Sequence, residues 1–307
     1  MRRILQLPML VWIVAAPGLL HSQTFTPGTE GRSGSSLFGR DLRDVPYVQN
    51  GHERQRLDLY QPPSSDGLKP VIVWIHGGGW EAGSKSQCPA KIMVTKGYVV
   101  ASVGYRLSQD AVFPAQIQDC KAAIRWLRAH AAEYQIDPNR IGVWGASAGG
   151  HLVALLGTTG HVHDFDVGAN LNQSSCVQCV IDWFGPTDFL HYGDLTPARL
   201  DNQKSPVTRL LGGTVMEKPE LARRSSPIYY VKADAAPFLI MQGDKDPLVP
   251  LQQSASFHEA LQKAHVPSIL KIYPGAGHGG ASFNSLESMK LMADFMDEHL
   301  RFSNSSK

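Results

Sequence analysis

One serine in the chain lies in the sequence VWGASAGG, where an apolar segment runs into a series of small residues. Residues 145–149 have the spacing Gly-x-Ser-x-Gly around Ser147. A strand that turns abruptly into a helix strains the central residue and requires small neighbours, so that both elements can approach. The serine would stand at the helix N-terminus, where the dipole favours developing negative charge. The pattern predicts that Ser147 is a nucleophile; a tight turn without chemistry is the alternative.

A run of glycines follows an earlier apolar segment, in the sequence HGGGW at residues 76–80. Glycines expose backbone N–H groups, and we expect those of Gly78 and Gly79, with that of Ala148, to bind an oxyanion. A phosphate-binding loop is the alternative, but no Lys-Ser/Thr follows and no third glycine has the dinucleotide spacing. Trp80 is predicted equally well as a wall of the substrate pocket or as a core residue.

A general base and an acid are the next requirement for a serine nucleophile. His278 lies in PGAGHGG, where glycines on both sides leave an uncluttered loop, and it is our candidate base. Asp244 and Asp246 lie together in QGDKDPLVP, and their side chains cannot both point at one imidazole. The residues alone leave open which of the two is the acid.

Other histidines have competing explanations. His151 follows Ser147 by one helical turn, so it could approach the site, but packing explains it better. A further group resembles a metal cluster: His161, His163, Asp164 and Asp166. A polar, solvated loop explains this group as well, and we expect no metal there.

Several apolar segments must position these residues. The predicted strands are residues 56–60, 70–79, 97–106, 141–145, 179–185, 237–244 and 268–275; the predicted helices are 115–134, 147–157 and 286–300, and 137–140 is a predicted turn. Buried strands that alternate with helices indicate an α/β fold with a mostly parallel sheet covered on both faces. Residues 187–233 are Pro-rich and polar, and we expect a small lid there.

Length, composition and net charge restrict the domain organisation and the partners that we expect. A length of 307 residues fits one large α/β domain or two small ones, and we expect a single domain over residues 43–304. With 43% hydrophobic and 18% charged residues, the chain can bury a substantial core. The net charge of +2 is too small to suggest a nucleic-acid partner.

The N-terminal residues predict export. Arg2 and Arg3 precede an apolar run, and Ser22 offers a small residue for cleavage, so residues 1–22 are a predicted signal peptide. A retained membrane anchor is the alternative. Residues 23–42 are rich in Gly, Ser and Thr and indicate a linker. We expect a secreted or periplasmic protein without stable membrane association after cleavage.

The even number of cysteines suggests disulfides in an exported chain. Cys176 and Cys179 would form a short local bridge, and Cys88 and Cys120 the second pair. A redox role for the Cys-x-x-Cys pattern is disfavoured because no helix start follows it. Zinc is disfavoured because no second ligand pair has matching spacing.

Six motifs between residues 71 and 280 together resemble the α/β-hydrolase superfamily: HGGGW, GYRLS with FPAQIQDCKAAIRWL, DPNRIGVWGASAGGHL, DWFGPTD, GDKDPLVP and GAGHGG. More narrowly, they resemble secreted esterases allied to hormone-sensitive lipase and to the bifunctional feruloyl and acetyl-xylan esterases. The resemblance implies a serine esterase without cofactor and places the acid at Asp246. It also implies a structural ion pair between Arg106 and Asp119.

These observations lead us to expect a secreted carboxylesterase that acts on small acyl or hydroxycinnamoyl esters, including those of plant polysaccharides. Trp80, Trp183 and Phe184 are candidates for packing the substrate. An amide hydrolase, such as an arylformamidase or a small serine peptidase, is one alternative, and a non-catalytic ligand-binding member of the fold is another. The sequence leaves the oligomeric state open.

Overall fold

The computed structural model describes residues 39–63, 67–192 and 202–301. They form an eight-stranded sheet in the order β1-β2-β4-β3-β5-β6-β7-β8. The strands are β1 (Asp41–Pro46), β2 (Arg56–Tyr60), β3 (Lys69–Ile75), β4 (Val99–Val103), β5 (Ile136–Ala146), β6 (Cys179–Trp183), β7 (Phe238–Gly243) and β8 (Ser268–Tyr273). β2 pairs antiparallel with β1 and with β4, and the remaining pairs are parallel. The predicted mostly parallel sheet is confirmed.

Helices cover both faces of this sheet. The α-helices are α1 (Ala115–Ala129), α2 (Ala148–Thr158), α3 (Pro206–Leu211), α4 (Pro219–Arg224), α5 (Leu251–Lys263) and α6 (Leu286–Leu300). Four 3₁₀ helices within the described ranges lie at Pro89–Lys96, His163–Phe165, Pro227–Tyr230 and Ala281–Asn284. Among the described residues, none of the helices combines the length and the hydrophobicity that a membrane-spanning segment requires.

Two apolar cores lie on opposite faces of the sheet because successive strand residues point in opposite directions. In β3, Val71 and Val73 belong to the core that packs against α1, α2 and α5, whereas Ile72 and Trp74 belong to the other core. This second core includes residues of α6 and of the Pro89–Lys96 helix. Burial on both faces explains why these strands are continuously apolar in sequence.

Strand β5 begins earlier than the sequence predicted. It pairs with β3 at Ile136 and again at Ile141, and residues 137–140 bulge out between the two pairs. Asp137 stabilises the bulge because its carboxylate accepts a hydrogen bond from Arg140 Nε at 2.7 Å. The predicted turn is therefore an irregularity inside a strand, since the local bend does not end the pairing.

The structure describes only part of the predicted linker and only part of the predicted lid. Strand β1 begins at Asp41, so the last two residues of the predicted linker 23–42 are paired with β2. The predicted signal peptide lies outside the described residues. Within the predicted lid, 187–233, the described residues form α3, α4 and the Pro227–Tyr230 helix, and 193–201 lie outside the description.

Both predicted disulfides are corrected by the structure, in which all four cysteines are free. Cys120 lies on the buried side of α1 in one core and Cys88 packs against the opposite core, so the sheet separates them. Cys179 points toward α6, where its Sγ lies 3.5 Å from Met296 Sδ. Cys176 instead contacts Gly160, in the loop after α2 on the other face. Spacing in sequence did not reveal this separation, because it depends on which face each residue occupies.

Candidate active site

Ser147 occupies the sharp turn between β5 and α2 that the sequence predicted. Its backbone has φ +56° and ψ −120°, a conformation that is strained for a residue with a side chain. A Cβ at Gly145 would lie 2.3 Å from the carbonyl oxygen of Gly149, and a Cβ at Gly149 would lie 2.1 Å from that of Ile75. The backbones of strand and helix therefore touch directly, and glycine is required at both positions. The Ser147 N–H donates to Trp183 O at 2.8 Å, which fixes the turn against β6.

Three side chains from distant loops form a continuous hydrogen-bonded series. Ser147 Oγ lies 2.8 Å from His278 Nε2, and His278 Nδ1 lies 2.7 Å from Asp246 Oδ2. The imidazole side chain is 17% exposed and the carboxylate 0% exposed, so solvent reaches the serine end of the series and not the carboxylate. The Phe184 ring packs against the imidazole with the ring centroids 4.4 Å apart. This geometry permits proton transfer from the hydroxyl to the imidazole.

Asp246 is held as an anion by the loop after β7. Its Oδ1 accepts hydrogen bonds from the backbone N–H groups of Leu248 at 2.8 Å and Val249 at 2.9 Å. Burial alone would raise the pKa of Asp246, but the hydrogen bonds from His278, Val249 and Leu248 outweigh it and lower the pKa below its usual value. Gln242 adds a further donor, from Nε2 to Asp246 Oδ2 at 3.1 Å.

Asp244, the second carboxylate of the same loop, has a different partner. Its Oδ1 accepts a hydrogen bond from the N–H of Gly275 at 2.6 Å, and this contact joins the loops after β7 and β8. The structure thus places Asp246 beside His278 and gives Asp244 the place of a turn residue. This choice, which the residues alone left open, depends on the direction in which each side chain leaves the loop.

The glycine loop after β3 lies beside Ser147, since a Cβ at Gly77 would lie 3.2 Å from Ser147 Cβ. Gly78 and Gly79 have φ values of +108° and +60°, which glycine adopts readily. A Cβ at Gly78 would lie 2.4 Å from Ala82 O, so the loop folds tightly back on itself. Ala148 is the first residue of α2, where a backbone N–H has no intrahelical partner. Within the described part of the chain, these three N–H groups have no protein acceptor and are available to an oxyanion.

A cleft of about 710 Å³ opens over the serine. Ser147, His278 and the glycine loop lie on its floor, and Trp80 and Phe184 contribute to its walls. Residues of the described lid, including Ser205, Pro206 and Val207 of the α3 region, close one side. The cleft is therefore wide enough for an acyl group and part of an alcohol.

Trp183 does not reach this cleft, which corrects its prediction as a pocket residue. It is 5% exposed and lies in the core beside α6, with ring centroids 5.0 Å from Trp144 and 5.6 Å from Phe283. The reason is strand alternation, since Cys179, Ile181 and Trp183 all point to that face. Phe184, in contrast, has a φ of +44° just beyond the strand, and this backbone turn brings its ring beside the imidazole.

The ion pair implied by the resemblance is present behind the glycine loop. Arg106 Nη2 lies 2.7 Å from Asp119 Oδ1, and Arg106 Nε donates to Asp119 Oδ2 at 2.9 Å. Gln55 also donates to the same carboxylate at 2.7 Å. The bidentate ion pair ties the segment after β4 to α1, and neither residue lines the cleft that contains Ser147, so its role is structural.

The histidine–aspartate pattern after α2 serves a structural network. Asp166 accepts from Arg125 Nη1 at 2.7 Å and lies 3.1 Å from His163 Nδ1. Lys121, fully buried, donates to Val162 O at 2.6 Å. No group of three or more His, Cys, Asp or Glu side chains that could hold a metal is found among residues 39–63, 67–192 and 202–301.

Two polar residues near the site were missed by the sequence analysis. Gln242 supports Asp246, and the only signal for it is a polar residue in the otherwise apolar segment PFLIMQG. Asp182 is fully buried below the serine turn. Its Oδ1 accepts from Gly185 N at 2.9 Å, and its Oδ2 has no hydrogen-bond partner among the residues that the structure describes. Burial raises the pKa of Asp182 to about 7. A carboxylate inside an apolar strand is the sequence signal for it.

The geometry agrees with a match to a protein-family model. The BD-FAE family model matches residues 57–261, which include the glycine loop, Ser147 and Asp246. The chain belongs to the BD-FAE family. Its eight-stranded sheet and its structural neighbours confirm the predicted α/β-hydrolase fold.

Named relatives of this BD-FAE protein are esterases. Esterase LipQ of Mycobacterium tuberculosis is 30% identical over 84% of this chain and 62% of its own length. The structure of a truncated carbohydrate esterase from gut microbiota is 32% identical, with a TM-score of 0.79 over 87% of this chain and 98% of that chain. An acetyl ester-xyloside bifunctional hydrolase from Caldicellulosiruptor lactoaceticus is 26% identical, with a TM-score of 0.69 over 87% of this chain and 98% of its own. The chain spans about half to three-fifths of the length of the curated relatives it matches.

Proposed function

We propose that the protein is a serine carboxylic ester hydrolase that works through an acyl-enzyme. The observation that carries the proposal is the hydrogen-bonded series from Ser147 through His278 to Asp246. Ser147 and His278 line one cleft with Gly78, Gly79 and Ala148, whose backbone N–H groups have no acceptor among the described residues. The similarity of the chain to named esterases supports the same activity.

The proposed mechanism follows from the positions of the donors and acceptors. His278 Nε2 takes the proton from Ser147 as the hydroxyl oxygen attacks the acyl carbonyl. Asp246 keeps the other proton on Nδ1 and stabilises the imidazolium that forms. The backbone N–H groups of Gly78, Gly79 and Ala148 bind the oxyanion, and His278 then protonates the leaving alcohol. Water repeats the sequence on the acyl-enzyme and releases the acid.

The proposed substrates are small acyl or hydroxycinnamoyl esters, including those carried by plant polysaccharide. The cleft of about 710 Å³ supports this class because its volume can hold an acyl group and part of an alcohol. Similarity to a carbohydrate esterase and to an acetyl ester-xyloside hydrolase supports a carbohydrate-linked ester. We also propose export, on the basis of the N-terminal residues.

The test combines covalent labelling with a substrate panel. A fluorophosphonate probe should label the wild-type protein and not Ser147→Ala, whereas Ser86→Ala, which changes an exposed serine, should label normally. Ser147→Ala should lower hydrolysis of p-nitrophenyl acetate by about 10⁴-fold or more. Methyl ferulate and acetylated xylan then separate the two acyl classes. A folded wild-type protein that neither reacts with the probe nor hydrolyses any ester would refute the proposal.

A further inference from the structure

His151 joins three parts of the molecule that meet at the cleft. It lies on α2, one turn after Ser147, and is fully buried. Trp80 Nε1 donates to His151 Nδ1 at 3.2 Å, and the second ring nitrogen, Nε2, lies 2.6 Å from Ser225 O. The nucleophile helix, the glycine loop and the lid region after α4 are therefore linked through one imidazole.

The partners determine the protonation state of this imidazole. An indole N–H can only donate and a carbonyl oxygen can only accept, so Nδ1 of His151 must be the acceptor and Nε2 must carry the proton. A protonated ring would direct a second N–H at the indole N–H of Trp80. Burial lowers the pKa of His151 to about 4, which keeps the ring neutral at the pH of ester hydrolysis. Both ring nitrogens of His151 bind structural partners, so this histidine is not a general base. His278 differs because its Nε2 lies beside the Ser147 hydroxyl.

Trp80 lies where its hydrogen bond to His151 can affect substrate binding. Trp80 directly follows Gly79, has a φ of +59° and lines the cleft. Its ring meets the His151 ring edge-on with the centroids 5.2 Å apart and meets Phe189 similarly at 5.8 Å. Only 3% of the Trp80 surface is exposed, so most of the ring is buried. The position of this part of the cleft wall therefore depends on the residues that pack against the buried side of the indole.

We propose that His151 is a positioning residue that fixes the Trp80 indole as a rigid cleft wall and thereby sets which sizes of ester the cleft accepts. This inference rests on the proposed esterase function. It assigns His151 no contact with the reacting atoms. Loss of the Nδ1 acceptor should free the indole and change binding of the larger substrates, with a smaller effect on the serine chemistry.

The test is a double-mutant cycle read out as substrate selectivity. We expect His151→Phe to change the ratio of kcat/KM for p-nitrophenyl acetate over p-nitrophenyl hexanoate by about fivefold or more, mainly through KM of the hexanoate. In a Trp80→Phe background, which lacks the indole N–H, the same change at His151 should leave the ratio within about twofold. An unchanged ratio in folded His151→Phe, or an equal effect in both backgrounds, would overturn the inference.

A conservative variant and a wild-type measurement complete the test. His151→Asn retains an acceptor near the position of Nδ1 and should restore the wild-type ratio; a ratio like that of His151→Phe would contradict the assigned contact. Nitrogen-15 NMR of the wild-type protein should show the Nε2–H tautomer at pH 7, and the Nδ1–H tautomer would overturn the inference even if His151→Phe fails to fold. Fluorophosphonate labelling of Ser147 in each variant separates failure of this inference from failure of the proposed esterase function.

Discussion

Replacement of Asp246 by Asn tests the orientation of the imidazole with almost no change in side-chain shape. Two backbone N–H groups, from Leu248 and Val249, donate to Asp246 Oδ1 at 2.8 and 2.9 Å. The single oxygen of an asparagine would remain at this position because both donors require an acceptor. Its NH₂ group would then occupy the position of Oδ2 and face His278 Nδ1.

The consequence is the wrong tautomer at His278. Because Nδ1 would have to accept a hydrogen bond, the proton would move to Nε2, the nitrogen that lies 2.8 Å from Ser147 Oγ. A protonated Nε2 cannot remove the serine proton. A tautomer reversal of this kind costs about 10⁴-fold in kcat in serine hydrolases, equivalent to about 5.4 kcal/mol of transition-state stabilisation.

The assay is steady-state hydrolysis of p-nitrophenyl acetate at pH 7, with active sites counted by fluorophosphonate labelling. Asp244→Asn is the matched control, since Asp244 lies in the same loop but accepts from Gly275 N and not from His278. We expect this control to keep kcat within about threefold of wild type. If folded Asp246→Asn keeps more than about a tenth of wild-type kcat, or if the control loses as much as Asp246→Asn, the assigned hydrogen-bond geometry is wrong.

Two further substitutions test the structure below the serine. Gly149→Ala should lower the free energy of unfolding by about 3 kcal/mol or more, because its Cβ would lie 2.1 Å from Ile75 O. Gly277→Ala, where the nearest atom to a Cβ is 3.9 Å away, should change the free energy of unfolding little. Urea titration measures this free energy for all of these variants. Asp182→Asn should stabilise the protein at pH 8 by up to about 4 kcal/mol, because the raised pKa of Asp182, about 7, means that ionisation at neutral pH opposes folding. This advantage should shrink as the pH falls from 7 toward 4, where the unfolded-state carboxyl is also protonated; a pH-independent difference would contradict the assignment.

Several features of the site were predictable because their causes are local in sequence. The strained turn at Ser147 needs small neighbours wherever it occurs, so GASAG predicts it without knowledge of the rest of the fold. The glycine loop at residues 77–79 follows similarly from an apolar strand that ends in glycines. Continuously apolar strands separated by helices predicted the parallel sheet, since burial on both faces removes the polar alternation.

Tertiary packing decided what the chain order could not. The loop residues alone leave open whether Asp244 or Asp246 is the acid, and only the resemblance favours Asp246; in the folded loop Asp246 points at His278 and Asp244 at Gly275. The sequence by itself determined the elements and the residue types of the site, because steric requirements and hydrophobic periodicity act over a few residues. The structure determined which side chains meet, including the separation of the cysteines by the sheet and the burial of Trp183 away from the cleft. Such contacts depend on which face of a strand or loop each residue occupies after distant segments have packed.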